Sequence, residues 1–221
     1  MSIHDIEIPI HVADGGTVAL PGTLTLPNEA TGLVLFAHGS GSSRHSPRNR
    51  FVADVLNEQG LGTLLFDLLT EQEAADRANV FDIGLLANRV IAAVRAMLSE
   101  PLTSHLPVGL FGASTGAAAA LVAAAHEPQV KAVVSRGGRP DLAGHWLDRV
   151  TAPTLLVVGG EDRDVLALNR DAYDALGCEK HLAVIPRATH LFEEPGTLEE
   201  AARLASRWFC RYLQPAILTG A

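Results

Sequence analysis

The stretch VGLFGASTGAAAALVAAA, residues 108–125, joins a short apolar run to a block of alanines. At the junction, Gly112 and Gly116 stand two positions either side of Ser114. The apolar run predicts a buried strand and the alanines predict a helix, so the serine falls on a strand-to-helix turn. A sharp turn of this kind exposes the serine hydroxyl and tolerates only small neighbours. Ser114 is therefore either an ordinary turn residue or a nucleophile, and the rest of the chain has to decide.

Composition narrows the class of protein. The 221 residues carry a formal net charge of -8 and contain no dense Lys/Arg cluster, so nucleic acid is not an expected partner. We expect one domain over residues 1–221. The N-terminal segment has early acids and no long apolar run, and no stretch reaches the roughly 18 apolar residues of a membrane helix. We therefore predict no signal peptide, no membrane association and a cytoplasmic location. Two cysteines, Cys178 and Cys210, are too few for a disulfide framework.

The apolar pattern predicts eight strands. Two extended segments, 6–12 and 18–26, are separated by a turn at Asp14-Gly15-Gly16. The runs that follow have no polar alternation, which is typical of strands buried on both faces of a parallel sheet. These runs cover residues 33–37, 63–66, 108–111, 132–134, 154–158 and 182–185. The prediction is an α/β fold with a mostly parallel sheet, begun by an antiparallel pair.

The sequence also indicates where the helices between the strands begin and end. Ser46 precedes a proline and predicts the start of one helix, which Gly60 closes. Asp82 predicts the N-cap of the next long helix. Thr197 with Glu200 predicts a capping box at the start of the last helix.

Polar residues follow each of the parallel strands, at the edge where ligands bind in parallel sheets. Ser114 follows the fifth strand, Asp162 the seventh and His190 the eighth. Acyl transfer needs a nucleophile, a base and a group that orients the base, and these three residue types supply them. Asp164 competes with Asp162 for the role of acid, but we interpret it as the cap of the following helix.

An oxyanion site needs backbone donors beside the nucleophile. Thr115 begins the helix behind Ser114, so its N–H points toward an oxyanion that forms there. The glycine-rich loop HGSGSS can expose the N–H of Ser40 as a second donor. We interpret His38, at the start of that loop, as a residue that holds the loop through hydrogen bonds.

These motifs together resemble the α/β-hydrolase superfamily. HGSG after the third strand, GASTG at the turn, GGEDRDV for the acid and ATH for the histidine occur in its usual order. The short chain leaves no room for a large cap domain and is closer to the dienelactone hydrolase family than to the large lipases. The resemblance implies the α/β-hydrolase fold, a sheet of about eight strands flanked by helices.

The namesake enzymes of the dienelactone hydrolase family use a cysteine nucleophile, whereas this chain has Ser114, which favours serine-esterase chemistry. The stretches HGSGSSRHSPRNR and ATHLFEEPG also look like bacterial hydrolase domains that are fused to a phosphoribosyltransferase domain.

The leading hypothesis is a bacterial serine hydrolase that cleaves small carboxylic esters, lactones or thioesters without a cofactor. Ser114 is the nucleophile, His190 the base and Asp162 the orienting acid, and the small-molecule ester is the partner of a monomer or homodimer. A second hypothesis is a nucleotide site at the glycine-rich turn, although G-x-G-x-x-G is absent. A third is a hydrolase fold kept as a binding or regulatory module. The scattered histidines show no metal-ligand spacing, so no metal site is expected.

Arg136 follows the apolar part of the sixth strand, at the edge where Ser114 is predicted to stand. An arginine at the rim of an apolar pocket needs an anionic partner. One interpretation is that it pairs with Asp141 or Asp67 and fixes loops. The other is that it binds the carboxylate or phosphate of an anionic ester.

Overall fold

The structure, a computed structural model, describes residues 1–11 and 15–214. In these residues eight strands form one sheet in the order β1-β2-β4-β3-β5-β6-β7-β8. The strands are β1 (Ser2–His11), β2 (Thr17–Leu26), β3 (Gly32–Ala37), β4 (Leu61–Phe66), β5 (Val108–Ala113), β6 (Val130–Arg136), β7 (Thr154–Gly159) and β8 (Lys180–Ile185).

Strand directions follow the predicted arrangement. β1 pairs antiparallel with β2, and β2 pairs antiparallel with β4, whereas every pair from β4 through β3 to β8 is parallel. β3, β4, β5 and β7 are buried along their whole length, as strands covered on both faces must be. β8 is only partly buried, because it is an edge strand. The turn predicted at Asp14-Gly15-Gly16 begins outside the described residues.

Seven α-helices and one 3₁₀ helix lie in the described ranges. They are α1 (Pro47–Glu58), α2 (Glu71–Ala74), α3 (Arg77–Phe81), α4 (Ile83–Ser99), α5 (Thr115–His126), the 3₁₀ helix (Pro140–Arg149), α6 (Arg163–Ala175) and α7 (Thr197–Leu213).

Two predicted caps are confirmed. The Ser46 side chain accepts a hydrogen bond from the N–H of Asn49, with proline as the first helical residue of α1. Asp82 accepts from the N–H of Leu85 at the start of α4. Each cap satisfies an amide that the first helical turn leaves unpaired.

The capping box at Thr197 and Glu200 was a wrong prediction. Gly196, in the left-handed region at φ +81°, is the N-cap, so Thr197 lies inside the first turn of α7. Its hydroxyl donates to the carbonyl of Glu194, and the Glu200 carboxylate binds Arg203. The helix begins one residue earlier than the pattern predicts, because the preceding loop turns at the glycine.

The sheet carries a hydrophobic core on each face. α4, α5 and the 3₁₀ helix pack on one face, and α1 and α7 pack on the other. Six of the ten buried residues of α5 are alanines, so its backbone lies close to the sheet. This close approach fixes the position of the β5–α5 turn relative to the sheet, and Ser114 lies on that turn.

The carboxyl ends of the parallel strands meet at one edge of the sheet. Ser114 follows β5, Asp162 follows β7 and His190 follows β8, so three distant parts of the chain meet there. No large cap covers this edge in the described part of the chain, and no described helix is long and apolar enough to cross a membrane.

Candidate active site

Ser114 occupies a strained turn between β5 and α5. Its backbone has φ +51° and ψ -124°, a conformation that non-glycine residues rarely adopt. The serine carbonyl accepts hydrogen bonds from the N–H groups of Ala117 (3.1 Å) and Arg139 (3.0 Å). These bonds hold the turn from both sides, so the conformation is built into the fold.

The flanking glycines are required by contact. A Cβ on Gly112 would lie 2.4 Å from the Cα of Ala117, and one on Gly116 would lie 2.2 Å from the carbonyl oxygen of Ala37. Both neighbours are backbone atoms that cannot move aside. The spacing of G-x-S-x-G is therefore a packing requirement of the turn, as the sequence predicts.

His190 and Asp162 form a close pair. The distance from His190 Nδ1 to Asp162 Oδ2 is 2.7 Å. The two loops that carry them are tied together, because the N–H of Glu161 donates to the carbonyl of Ala188 (3.0 Å). With Nδ1 directed at the carboxylate, Nε2 is the ring nitrogen that remains to take a proton. His190 and Ser114 line the same cavity, of about 270 Å³.

Comparison with known proteins identifies the family of this chain. Residues 22–215 match the dienelactone hydrolase family. The chain belongs to the dienelactone hydrolase family. It is 56% identical to the crystal structure of dienelactone hydrolase from Anabaena variabilis, with a TM-score of 0.89, and the match covers 96% of this chain and 99% of that chain.

Other relatives are more distant or longer. The structure of an alpha-beta serine hydrolase homologue from Coxiella burnetii has a TM-score of 0.76 over 92% of this chain and 96% of that one. At 21% identity this likeness shows the fold alone. Two Mycobacterium tuberculosis proteins, each named "Putative phosphoribosyl transferase", are 60% identical over 90% of this chain. The match covers 45% of their length, so this chain spans less than half of those relatives.

The loop after β3 contacts the start of α5 in this family member. The N–H of Ser40 donates to Thr115 Oγ1 at 3.0 Å. Gly39 makes this contact possible, since a Cβ there would lie 2.9 Å from the Cβ of Ser114. The predicted oxyanion donors, Ser40 and Thr115, are therefore adjacent, and the Ser40 amide binds the threonine hydroxyl.

His38 holds the same loop, as the sequence predicts. Its Nδ1 lies 2.9 Å from the carbonyl oxygen of Gly39, and its Nε2 lies 3.1 Å from the amide nitrogen of Leu68. Because Nε2 accepts from an amide, Nδ1 is the nitrogen that carries the proton. Burial lowers the pKa of His38 below its ordinary value of 6.5, partly offset by the bond to Gly39 and by Asp67. His38 is thus held neutral as a link between two loops.

Asp164 is not the N-cap of α6, contrary to the sequence prediction. The helix begins at Arg163, which places Asp162 at the N-cap position and exposed Asp164 within the first turn. Asp162 makes no side-chain cap bond, because its carboxylate is directed at His190. Asp164 instead lies where a negative charge interacts favourably with the helix dipole.

Glu194 is a site residue that sequence reasoning missed. Its carboxylate accepts hydrogen bonds from Thr189, one from the backbone N–H (3.0 Å) and one from the hydroxyl (2.6 Å). These bonds close the loop that presents His190. The side-chain and backbone bonds from Thr189 lower the pKa of Glu194 below its usual 4.5. The spacing T-x-x-x-x-E is the signal in the sequence, but it is too common to single out.

The structure excludes both of the ion-pair partners expected for Arg136. Asp67 pairs with Arg44, and Asp141 pairs with Arg139 through two hydrogen bonds of 2.9 and 2.8 Å. Arg136 is the last residue of β6 and forms a salt bridge with neither carboxylate. Its side chain lines the cavity that Ser114 and His190 share.

Proposed function

We propose that this dienelactone hydrolase family member is a serine hydrolase that cleaves small carboxylic esters, including lactones or thioesters. The observation that carries the proposal is the 2.7 Å contact from His190 Nδ1 to Asp162 Oδ2 beside a cavity that Ser114 also lines. A nucleophile on a strained turn and an oriented imidazole are the elements that acyl transfer requires.

The reaction has two halves. Ser114 Oγ attacks the ester carbonyl while His190 Nε2 takes its proton, and the carbonyl oxygen becomes an oxyanion. The intermediate collapses, the C–O bond to the alcohol breaks, and His190 returns the proton to the leaving alkoxide. Water then attacks the acyl-enzyme with His190 again as base, which releases the carboxylic acid and restores Ser114. Asp162 keeps Nδ1 protonated and stabilises the imidazolium in each half.

Two backbone amides are proposed to bind the oxyanion. The N–H of Thr115 is the first of α5 and is one of the amides that a helix leaves unpaired at its start. The N–H of Ser40 has to be released by, or shared with, Thr115 Oγ1, to which it donates in the free protein. We therefore propose that substrate binding exchanges this internal hydrogen bond for one to the oxyanion.

A second cavity suggests where an apolar part of the substrate binds. It measures about 380 Å³ and shares Gly39, Ser40 and Ser42 with the cavity at Ser114. Its walls include Leu68, Leu69, Val80 and Leu86. Side chains of this type bury apolar groups, so we propose that one side of the scissile bond carries an apolar group.

Two other functions are alternatives to ester hydrolysis. Phosphoribosyl transfer is the activity in the names of the two Mycobacterium tuberculosis relatives, but more than half of their length lies outside the match to this chain. A non-catalytic binding module is the other alternative. Such a module would not need the triad geometry and would not react with a serine-directed reagent.

The test compares wild type with Ser114→Ala on p-nitrophenyl esters of increasing chain length and on a fluorophosphonate probe. We expect the wild type to hydrolyse short esters and to be labelled. By analogy with subtilisin, loss of the nucleophile should lower kcat roughly a million-fold. Thermal unfolding should show that Ser114→Ala is folded.

Ser42→Ala is the matched control, because Ser42 lines the same cavity without belonging to the triad. It should still react with the probe. Labelling that persists in Ser114→Ala would assign the nucleophile to another serine, and an unlabelled, inactive wild type would favour the non-catalytic module.

A further inference from the structure

Arg136 is a buried cation beside the proposed nucleophile. It lies opposite Ala113 in the β5–β6 register, and its carbonyl accepts a hydrogen bond from the N–H of Ser114 (3.4 Å). The residue is only 7% exposed. Its position is therefore fixed by the same two strands that present Ser114.

Most of the hydrogen-bonding capacity of Arg136 is unused. Among the described residues, Nε and Nη1 are buried without a hydrogen-bond partner. Nη2 donates to Asn49 Oδ1 at a long 3.3 Å. The two edges of a guanidinium, Nε/Nη2 and Nη1/Nη2, use different hydrogens of Nη2. Asn49 can occupy only one of them, so one edge keeps both of its N–H donors.

Arg136 is held in place by aromatic rings rather than by a carboxylate. Its guanidinium carbon lies 5.9 Å from the ring centre of Phe111 and 5.7 Å from that of Phe192. Contacts of this kind attract the cation through the ring faces and leave its N–H donors free. A buried cation that lacks an anionic partner is costly to the fold, so its retention here needs a reason.

The charge of the cavity is positive on the side of Arg136. Arg48 lines the same cavity, and none of the described residues around it is acidic. Burial, with a smaller contribution from Arg48, lowers the pKa of Arg136 to about 10, so the guanidinium remains charged at neutral pH. Arg48 lies 3.7 Å from Glu193, whereas Arg136 forms no salt bridge among the described residues. The unpaired charge of Arg136 attracts an anion toward Ser114, which lines the same cavity.

We propose that Arg136 forms an anion subsite that binds a carboxylate on the ester substrate, through two N–H donors on one edge of its guanidinium. This proposal rests on the proposed function and deepens it, because it names the substrate class as an anionic ester. Planar carboxylates match the guanidinium edge in geometry, which a point charge such as lysine does not.

The first experiment measures substrate preference. Mono-p-nitrophenyl succinate, with a carboxylate on its acyl side, is compared with neutral p-nitrophenyl isocaproate of similar shape. para-Acetoxybenzoate and its methyl ester make the same comparison for a carboxylate on the alcohol side. We expect wild type to prefer one of the charged esters over its neutral partner. The pair that shows this preference tells whether the carboxylate of the substrate lies on the acyl side or on the alcohol side. In Arg136→Met the ratio of kcat/KM for that pair should fall roughly 10- to 100-fold, mainly through KM.

Arg139→Met is the matched control. It removes one positive charge at the same sheet edge, but the guanidinium of Arg139 already binds Asp141. Its preference ratio should equal that of wild type. Arg136→Lys should recover only part of the preference, since lysine retains the charge without the planar edge.

The second experiment does not depend on hydrolysis. Calorimetric titration with succinate should show binding to wild type and to Arg139→Met, and at least roughly tenfold weaker binding to Arg136→Met. Thermal unfolding of Arg136→Met should be unchanged or raised, because the variant removes an unpaired buried charge. Succinate binding in a protein that hydrolyses no ester would refute the proposed function and support the anion subsite.

Two results would overturn the anion subsite. One is a wild type that hydrolyses neutral esters without preference for either charged partner and does not bind succinate, a result that needs no variant. The other is an equal loss of activity on charged and neutral esters in Arg136→Met with a lowered unfolding temperature, which would make Arg136 a structural residue.

Discussion

Asp162 occupies an N-cap position without capping the helix with its side chain. It stands at the N-cap position of α6, where an aspartate commonly caps the helix, yet its carboxylate contacts His190. Asp164, two residues on, is exposed in the first turn. The sequence places two aspartates two residues apart, and the loop geometry decides which of them reaches the imidazole.

If Asp162 orients His190, replacing each of the two aspartates by asparagine should lower kcat by very different amounts. Asp162→Asn should lower kcat roughly ten-thousand-fold, by analogy with the serine protease triad, because the amide favours the wrong histidine tautomer. Asp164→Asn should change kcat by no more than about twofold, since it alters an exposed side chain away from the cavity. Steady-state kinetics on one p-nitrophenyl ester measure both. Equal losses, or a larger loss in Asp164→Asn, would contradict the assignment of the acid.

At the scale of elements, the β5–α5 turn was predictable and the loop after β8 was not. Gly112, Ser114 and Gly116 mark the turn because each glycine is required by a backbone contact within a few residues or across a neighbouring strand. The loop after β8 depends on a side chain, Glu194, that binds Thr189 five residues earlier. Nothing in the local pattern distinguishes that pair from two exposed polar residues.

The unpaired state of Arg136 could not be derived from sequence for a related reason. Asp67 and Asp141 both follow strands that end at the same edge of the sheet as Arg136, and only the structure shows that Arg44 and Arg139 bind them. The start of α7 depends likewise on Gly196, whose left-handed backbone shifts the helix by one residue. Motifs fixed by local geometry were therefore predictable, whereas partners fixed by side-chain competition were not.

The loop after β8 gives a prediction at the element scale. Glu194→Ala removes both bonds to Thr189, so the loop should hold His190 less firmly and kcat should fall roughly two- to tenfold with little change in KM. Glu194→Gln should recover part of the loss, because its amide oxygen can accept one of the two bonds. Glu193→Ala is the control, since Glu193 lies next in the chain and only approaches Arg48 at 3.7 Å. A positioning role for Glu194 fails if the two alanine variants behave alike.

At the scale of the whole molecule, the site depends on loops from both halves of the sheet. His38 joins two of them, the loop after β3 and the loop after β4, through its bonds to Gly39 and Leu68. The bond from Leu68 needs the neutral ring, because a proton on Nε2 would face the N–H of Leu68, whereas Nδ1–H can donate to Gly39 in either state. The stability of the sheet edge is therefore linked to pH through one residue.

The direction in which stability changes with pH follows from the lowered pKa of His38. The unfolded chain takes up a proton near pH 6.5, whereas the folded protein keeps the ring neutral to a lower pH. The contribution of His38 to stability is thus fully present above pH 6.5 and is lost as the pH falls from there through the folded pKa.

His38→Asn retains a donor for Gly39 and removes the titrating ring. At neutral pH it should lower Tm by roughly 2–4 °C for the lost bond to Leu68, and its Tm should fall less steeply than that of wild type below pH 6.5. His105→Asn, at an exposed loop position, should keep the wild-type slope. Thermal unfolding of the three proteins across this pH range measures the effect, and parallel curves for wild type and His38→Asn would show that His38 does not link stability to pH.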